Sequence, residues 1–348
     1  TEAFRRDPRM VSFAVHLFID AWPAGWMKTI MDVERQPKKA YWEYREALKP
    51  LIVSLRSDRD KYFSNDSVSI ESWVCNDRNE IPESCTLKYQ LVKGKKIVFA
   101  NHVSPEIPSN SAKFNGFIDF KAAEENERSE YTLYSVLVDG NNNIVDQSEF
   151  SFEVFPEINY ETKEIETLEK DNEIIESVAS EMGYETKMKD GLNTIVINDY
   201  ELYVKDSARV NRAVNEGAKV VFMDLKSGSY QIANSQIEVS PTEMGKYFFV
   251  SPRTGHAMVK EFKPYDFRFW YDPKVDYIAP ILSHYFKGQG WTPILSTGSL
   301  NWVEAGEEMI AVGELKYGKG SFIVCLIDMD GRLNANPTAK KFAGKLLN

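Results

Sequence analysis

The sequence predicts a multidomain protein of the α/β-plus-all-β class, with an immunoglobulin-like β-sandwich set between two segments that mix strands and helices. Three observations predict it. The chain has 348 residues, long enough for roughly two or three domains. Residues 51–156 carry short runs of β-branched and aromatic residues separated by turn signals, with no helical periodicity between them. Residues 157–348 alternate short all-apolar runs with stretches of helical spacing, the pattern of a parallel α/β layer.

The first segment is residues 1–50. Residues 11–19 (VSFAVHLFI) form an apolar run broken by one histidine, which predicts a strand buried on both faces. A loop with two tryptophans follows, then a helix with Pro37 in its first turn, where the missing N–H costs nothing. Tyr41, Tyr44 and Leu48 fall at helical spacing, and Pro50 ends the helix. One strand–loop–helix unit cannot bury itself, so the segment must belong to something larger or pack on its neighbours.

In the second segment the runs are 67–76, 85–92, 96–103, 112–120, 131–138 and 144–155. Alternation puts Val68, Ile70 and Val74 on one face of the first of these. In the third segment an acidic helix carries Leu168, Ile175, Val178 and Met182 and ends near Gly183. Residues 194–198 read as a strand, 207–216 as a helix capped by Ser207 and stopped by Gly217, and 219–224 as a strand. The spacing in 275–286 predicts a helix kinked or divided by Pro280. Residues 322–328 predict a strand launched by Gly318 and Gly320, and Asn336 with Pro337 opens a last helix.

Composition narrows the function classes. The net charge is −10, and residues 157–190 hold eleven acidic residues against four basic ones. Such a surface repels phosphate backbones, so nucleic acid is not an expected partner. No run approaches the roughly 18 apolar residues of a membrane-spanning helix. Of the three cysteines, Cys75 and Cys85 flank a predicted hairpin and could face each other, though two reduced, half-buried thiols are the simpler reading.

Motifs for independent chemistry are missing. There is no G-x-S-x-G or G-x-C-x-G elbow, and Cys325 lies inside a predicted strand. His16, His102, His256 and His284 are isolated, which favours structural roles. No phosphate loop or nucleotide fingerprint occurs, and no cofactor is implied. Asp328 and Asp330 at a strand end are too few to hold a metal, so no metal site is assigned. What remains is sugar chemistry. The loop 20–26 places Asp20, Trp22 and Trp26 after a strand, and aromatic rings serve glycosidases as sugar platforms. The plainer alternative is that both tryptophans only cover a rim.

At this loop the sequence resembles the end of the catalytic barrel in glycoside hydrolase family 2, which includes β-galactosidases, β-glucuronidases and β-mannosidases. The resemblance rests on residues 11–50, with Pro37, Lys38, Ala40, Tyr41, Trp42 and Arg45 as a P-K-x-A-Y-W-x-x-R core. Residues 51–77 are similar to the sandwich domain that follows the barrel in one group of these enzymes. Residues 266–272 (DFRFWYD), 290–295 (GWTPIL) and 317–320 (YGKG) resemble a further domain of the flavodoxin-like, class I glutamine-amidotransferase-like type without amidotransferase residues. The resemblance implies domains at 1–50 (the last strand and helix of a (β/α)8 TIM barrel), 51–156 (the sandwich) and 157–348 (the amidotransferase-like domain).

It also implies that both catalytic glutamates of a retaining enzyme lie upstream of residue 1, so no catalytic residue is assigned here and the chain alone is expected to be inactive. Trp22 matches the aromatic position at the end of the eighth strand and Asp20 sits beside it, as substrate-binding residues. The carbohydrate substrate would engage the chain through the rest of the barrel. The C-terminal domain is a candidate surface for homo-oligomers. Localisation stays open, a periplasmic or extracellular site with an upstream signal peptide being what the resemblance raises. The competing reading is a non-catalytic carbohydrate-binding or oligomerisation module, with Trp270, Tyr271 and Trp291 as exposed aromatics unless they are core.

Overall fold

The structure, a computed structural model, describes residues 1–10, 12–21, 29–188, 191–243, 245–298 and 309–348. The chain is mostly β, 42% strand against 19% helix, so strand pairing rather than helix packing carries the fold. It divides into two compact units, Thr1–Asp60 with Ser64–Phe155, and Lys61–Phe63 with Pro156–Asn348.

The first unit opens with α1 (Glu2–Arg6) and α2 (Lys39–Ala47) and continues with β1 (Leu51–Arg56), β3 (Ser67–Asn76), β4 (Thr86–Lys93), β5 (Lys96–Val103), β6 (Ser111–Lys121), β7 (Ser129–Val138) and β8 (Ile144–Phe155). The short β2 (Lys61–Phe63) is grouped with the second unit. Strands β1-β3-β6 form one antiparallel sheet, and β8-β7-β4-β5 are neighbours in another. Their inner faces meet as a sandwich. Val68, Ile70 and Val74 of β3 are buried, as are Leu87, Tyr89 and Leu91 of β4 and Leu133 and Leu137 of β7. Tyr89 donates its hydroxyl to Ser72 Oγ at 2.8 Å between the sheets, giving two buried polar groups one another as partners. Cys75 and Cys85 are both buried free thiols.

Residues 1–50 group with this sandwich but hardly bury themselves. Among their described residues only Thr29, Ile30 and Ala47 are buried. The strand expected over residues 11–19 does not form among those described; Ile19 makes one isolated bridge to Met31. A strand needs a neighbour for its N–H and C=O groups, and among the described residues this segment pairs only at Met31. The helix does form, but Trp42 and Leu48 stand in solvent, 47% and 45% exposed.

Arg5 ties this segment down. Its guanidinium donates to the carbonyls of Ala47 at 2.8 Å and Lys49 at 2.7 Å and pairs with Asp77 at 3.0 Å. Those carbonyls lie at the end of α2, where helix geometry supplies no donor.

The second unit holds β9 (Glu164–Thr167), α3 (Glu173–Met182), β10 (Glu185–Lys187), β11 (Thr194–Ile197), α4 (Tyr200–Glu216), β12 (Lys219–Met223), β13 (Gly228–Ile232), β14 (Ser235–Pro241), β15 (Tyr271–Asp272), β16 (Tyr277–Ile278), β17 (His284–Gly288), β18 (Thr292–Thr297), β19 (Met309–Tyr317), β20 (Gly320–Cys325) and α5 (Pro337–Leu347). One ten-stranded sheet runs β10-β9-β11-β12-β20-β19-β17-β14-β13, with β18 on β19. The pairs from β10 to β20 are parallel and the remainder antiparallel. Helix α3 begins at Asn172, whose side chain accepts from Ile174 and Ile175 N–H, and ends at Gly183 in the left-handed region. Tyr203 of α4 packs edge-on against Phe222 of β12. Gly320 is required where the β19–β20 turn meets α4, because a Cβ there would run into the carbonyls of Val214 and Ala218.

Two expectations fail here. The helix expected to start at Ser207 is α4, which starts seven residues earlier, with Asp199 accepting from Glu201 N–H at 2.9 Å. Ser207 sits mid-helix, its hydroxyl turned back to the Val204 carbonyl. The helix expected over 275–286 is absent. Asp276 takes a left-handed φ of 60°, which closes a tight turn, and residues 277–278 and 284–288 pair as β16 and β17. The apolar spacing there belongs to two short strands flanking Pro280.

Replacing Arg5 by Met removes the guanidinium but keeps the stem. Amide hydrogen exchange across residues 39–50 should then speed up roughly thirtyfold, the equivalent of about 2 kcal/mol for losing charged hydrogen bonds to two carbonyls. Unchanged exchange would show that Arg5 does not hold the helix.

Candidate functional site

Of the two site residues expected from sequence, Trp22 lies outside the described residues. Asp20 is inside them, with its side chain 8% exposed. Its Oδ1 accepts from the Thr29 hydroxyl at 2.5 Å and its Oδ2 pairs with Lys38 Nζ at 2.7 Å. Lys38 also donates to Thr29 Oγ1 at 2.5 Å. The backbone supports the same knot, through Asp20 N–H to Met31 O and Lys38 N–H to Ile30 O. Asp20 therefore joins residues 20, 29 and 38 at the base of the loop, and each of its oxygens already has a partner within the chain.

Other clusters with catalytic residue types are internally satisfied. Cys325 is fully enclosed in β20, and burial pushes its thiol up to about 12, which leaves no thiolate at neutral pH. His256 Nδ1 accepts from Met258 N–H at 3.2 Å and so caps a short 3-10 turn. Asp328 pairs with Arg332, which also holds Asp272, and Asp330 pairs with Lys274. Among the described residues no group of three or more His, Cys, Asp or Glu could hold a metal ion.

The crevice beyond the ends of β9 and β11 is where a parallel layer offers amide donors to a ligand. Here Glu169 fills it. Its Oε1 accepts from the N–H groups of Asn198, at 2.5 Å, and Asp199, while Oε2 accepts from Asn172 Nδ2 at 2.5 Å.

Among the described residues, one arrangement with open volume and exposed rings is a groove in the second unit. It has a volume of about 600 Å³ and is lined by Phe249, Pro252, Tyr265, Arg268, Phe269 and the hydroxyl-bearing ends of β18. That volume lies within the ordinary range for small-molecule sites, roughly 300–1,000 Å³. Phe249, Tyr265 and Phe269 are 59%, 58% and 45% exposed.

The stretch 266–270 builds this surface. Phe267 and Trp270 are both buried, and Trp270 Nε1 donates to Asp266 O at 2.8 Å. A regular strand would turn Phe267 and Phe269 to the same side. Burying residues 267 and 270 instead requires a reversal between them, and Phe269 supplies it with a φ of 55°. That region is costly for a bulky side chain and is found where the surroundings enforce it. Phe269 N–H to Phe248 O at 2.8 Å and Val250 N–H to Phe267 O at 3.0 Å fix the turn. The outcome is an aromatic ring driven into solvent beside Arg268.

The guanidinium of Arg268 lies 3.9 Å from the centre of the Tyr265 ring and 5.5 Å from that of Phe269. Its Nε is buried without a hydrogen-bond partner.

The aromatics named from sequence are placed differently. Trp270 and Trp291 are core, and Trp291 Nε1 donates to Ser235 Oγ at 3.1 Å. Tyr271 is half-buried, its hydroxyl donating to Asp276. The exposed set Phe249, Tyr265 and Phe269 was missed. A signal was present in residues 265–271, seven residues with five aromatics, more rings than one buried face can take.

No protein-family model matches the sequence, and no curated protein matches it. Among solved structures, the chain is similar to the CARDB domain of a Pyrococcus furiosus protein in complex with di-metal ions, at 18% identity and a TM-score of 0.25, over 31% of this chain and 94% of that one. It is also similar to the exo-chitosanase CsxA of Amycolatopsis orientalis, at 15% identity and a TM-score of 0.28, over 36% of this chain and 13% of that enzyme.

The strain at Phe269 can be measured. Phe269→Gly and Phe269→Ala both delete the exposed ring, but only glycine takes the left-handed backbone without penalty. The glycine variant should be the more stable by about 1 kcal/mol in urea denaturation, and a more stable alanine variant would show the turn to be unstrained.

Proposed function

We propose that this chain is the C-terminal accessory region of a retaining β-glycosidase of the family 2 type, serving structure and assembly rather than catalysis. One observation carries the reading. Residues 1–50 keep large apolar side chains in water, with Phe18 at 53%, Trp42 at 47% and Leu48 at 45% exposure, while Arg5 fastens the end of α2 in place. Exposed apolar area costs roughly 25 cal/mol per Å² relative to burial, and a concentration of it marks a contact surface. The occupant proposed is the remainder of a catalytic barrel, whose eighth strand, loop and helix residues 11–50 resemble.

The finer domain assignments belong to the same proposal. The sandwich would be the immunoglobulin-like domain that follows the barrel. In the second unit, the parallel strands in spatial order β10-β9-β11-β12-β20 take the chain order second, first, third, fourth, fifth. That is the flavodoxin-like order, and it supports an amidotransferase-like layer. The enclosed Cys325 and the crevice filled by Glu169 favour a scaffold role for that layer. Trp22 and Asp20 would sit at the rim of the sugar site, with Asp20 acting through Thr29 and Lys38 as a positioning residue for the loop. Glycosidic hydrolysis needs two carboxylates astride the scissile bond, and in this reading both lie upstream.

The 348-residue chain should therefore release no chromophore above background from aryl β-galactosides, β-glucuronides or β-mannosides, whereas the polypeptide translated from the whole gene should hydrolyse at least one. Turnover by the 348-residue chain alone would overturn the proposal.

A further inference from the structure

We infer that the groove between Phe249, Tyr265, Arg268 and Phe269 is a binding site for a carboxylate-bearing saccharide of the uronic-acid class. The inference does not rest on the glycosidase reading, because it concerns binding alone.

Three features of the groove select this ligand class. The first is the exposed rings. Aromatic faces are suited to the apolar C–H face of a pyranose, and Tyr247 stacked on Phe249 at an interplanar angle of 10° stiffens that part of the shelf. The second is the cation. Arg268 lies over Tyr265 with its Nε buried and unpaired, and no acidic residue is among the described residues that line the groove. A guanidinium pre-positioned by an aromatic ring suits a planar carboxylate, which it can take through two parallel hydrogen bonds. The local charge agrees. Residues 246–268 hold five Lys or Arg against two Asp or Glu in a chain of net charge −10, and Glu261, one of the two acids, is committed to Lys341 and Lys345.

The third feature is the backbone. Ser251 and Ser296 pair reciprocally, N–H to O at 2.8 and 3.0 Å, and Val250 and Phe269 donate to Phe267 and Phe248. These groups are already paired, so an extended peptide gains no strand pairing through them. Recognition falls to side chains: rings, guanidinium and the hydroxyls of Ser296 and Thr297. That combination fits a sugar acid better than a polypeptide.

The test is calorimetric titration of the 348-residue protein with trigalacturonate, its trimethyl ester and triglutamate. Trigalacturonate should bind, with the ester at least tenfold weaker, since a hydrogen bond between ions is worth more than one factor of ten in affinity. Triglutamate should give no heat. Arg268→Gln should abolish the preference for the acid over the ester, while Tyr265→Ala should weaken both. Tyr265 is exposed and Arg268 half-buried, and an unchanged melting temperature checks that each variant is folded.

No binding of trigalacturonate at millimolar concentration, or binding that Arg268→Gln leaves unchanged, would overturn the inference. Equal binding of triglutamate would show that any carboxylate suffices and would overturn the saccharide assignment. A dimer in sedimentation that Phe249→Ala dissociates would give the groove to a second copy and overturn it as well. Failure of the glycosidase reading would show instead in the hydrolysis assay, which none of these variants enters.

Discussion

The guanidinium of Arg5 lies 5% exposed among the Ala47 and Lys49 carbonyls and the Asp77 carboxylate, and what the first unit can do depends on that contact. It joins α1, the C-terminal end of α2 and the loop after β3 at one point. Alone, a nine-residue helix with a single buried residue would be too short to persist in water. Tied at its end, it presents a surface in a fixed orientation to the sandwich strands beside it. Neighbouring polar contacts repeat the connection, Arg6 and Glu2 meeting at Ser54 Oγ at 2.5 and 2.6 Å. The polar end of the segment is thus satisfied within the unit and the apolar side chains are not. That asymmetry is why a contact surface, rather than a folding defect, is the physical reading.

The second unit turns on a comparable constraint, the need to bury both Phe267 and Trp270. Core packing wins over local backbone preference because each ring removes on the order of 2–3 kcal/mol of apolar surface from water, whereas a left-handed residue costs roughly 1–2 kcal/mol. Phe269 is left outside as the consequence. The groove is thus a by-product of packing that leaves three rings and one cation together. The crevice at the ends of β9 and β11 has gone the other way. There the protein's own Glu169 takes the amide donors that a ligand would need.

Much of the sandwich was legible in the sequence because its strands alternate. Side chains on an antiparallel strand with one wet face report their orientation at every second residue, as β3, β4 and β7 do, and the runs 67–76, 96–103 and 144–155 coincide with β3, β5 and β8. The start of α4 was not legible in the same way. Tyr200, Tyr203 and Val204 have modest helix propensity, and Ser207 imitates a cap, while the residue that caps is Asp199. Residues 275–286 misled because Tyr277, Ile281 and Tyr285 recur every four positions, although Tyr277 and Tyr285 sit on separate short strands and Ile281 lies between them. Of the candidate site, the rings were visible as residues and their exposure was not. It depends on the sign of one φ angle at Phe269 and on a strand edge at Phe249, in a stretch that sequence alone did not place. For residues 11–19 the pattern was that of a buried strand, whereas among the described residues the pairing is limited to one bridge at Met31.

The claim that most depends on physics beyond the chain itself is that residues 1–50 are a contact element for a larger glycosidase. Hydroxyl-radical footprinting reads side-chain exposure directly. Phe18, Trp42 and Leu48 should be heavily oxidised in the 348-residue protein and several-fold protected in the polypeptide translated from the whole gene. Equal oxidation of these three side chains in both proteins would contradict it.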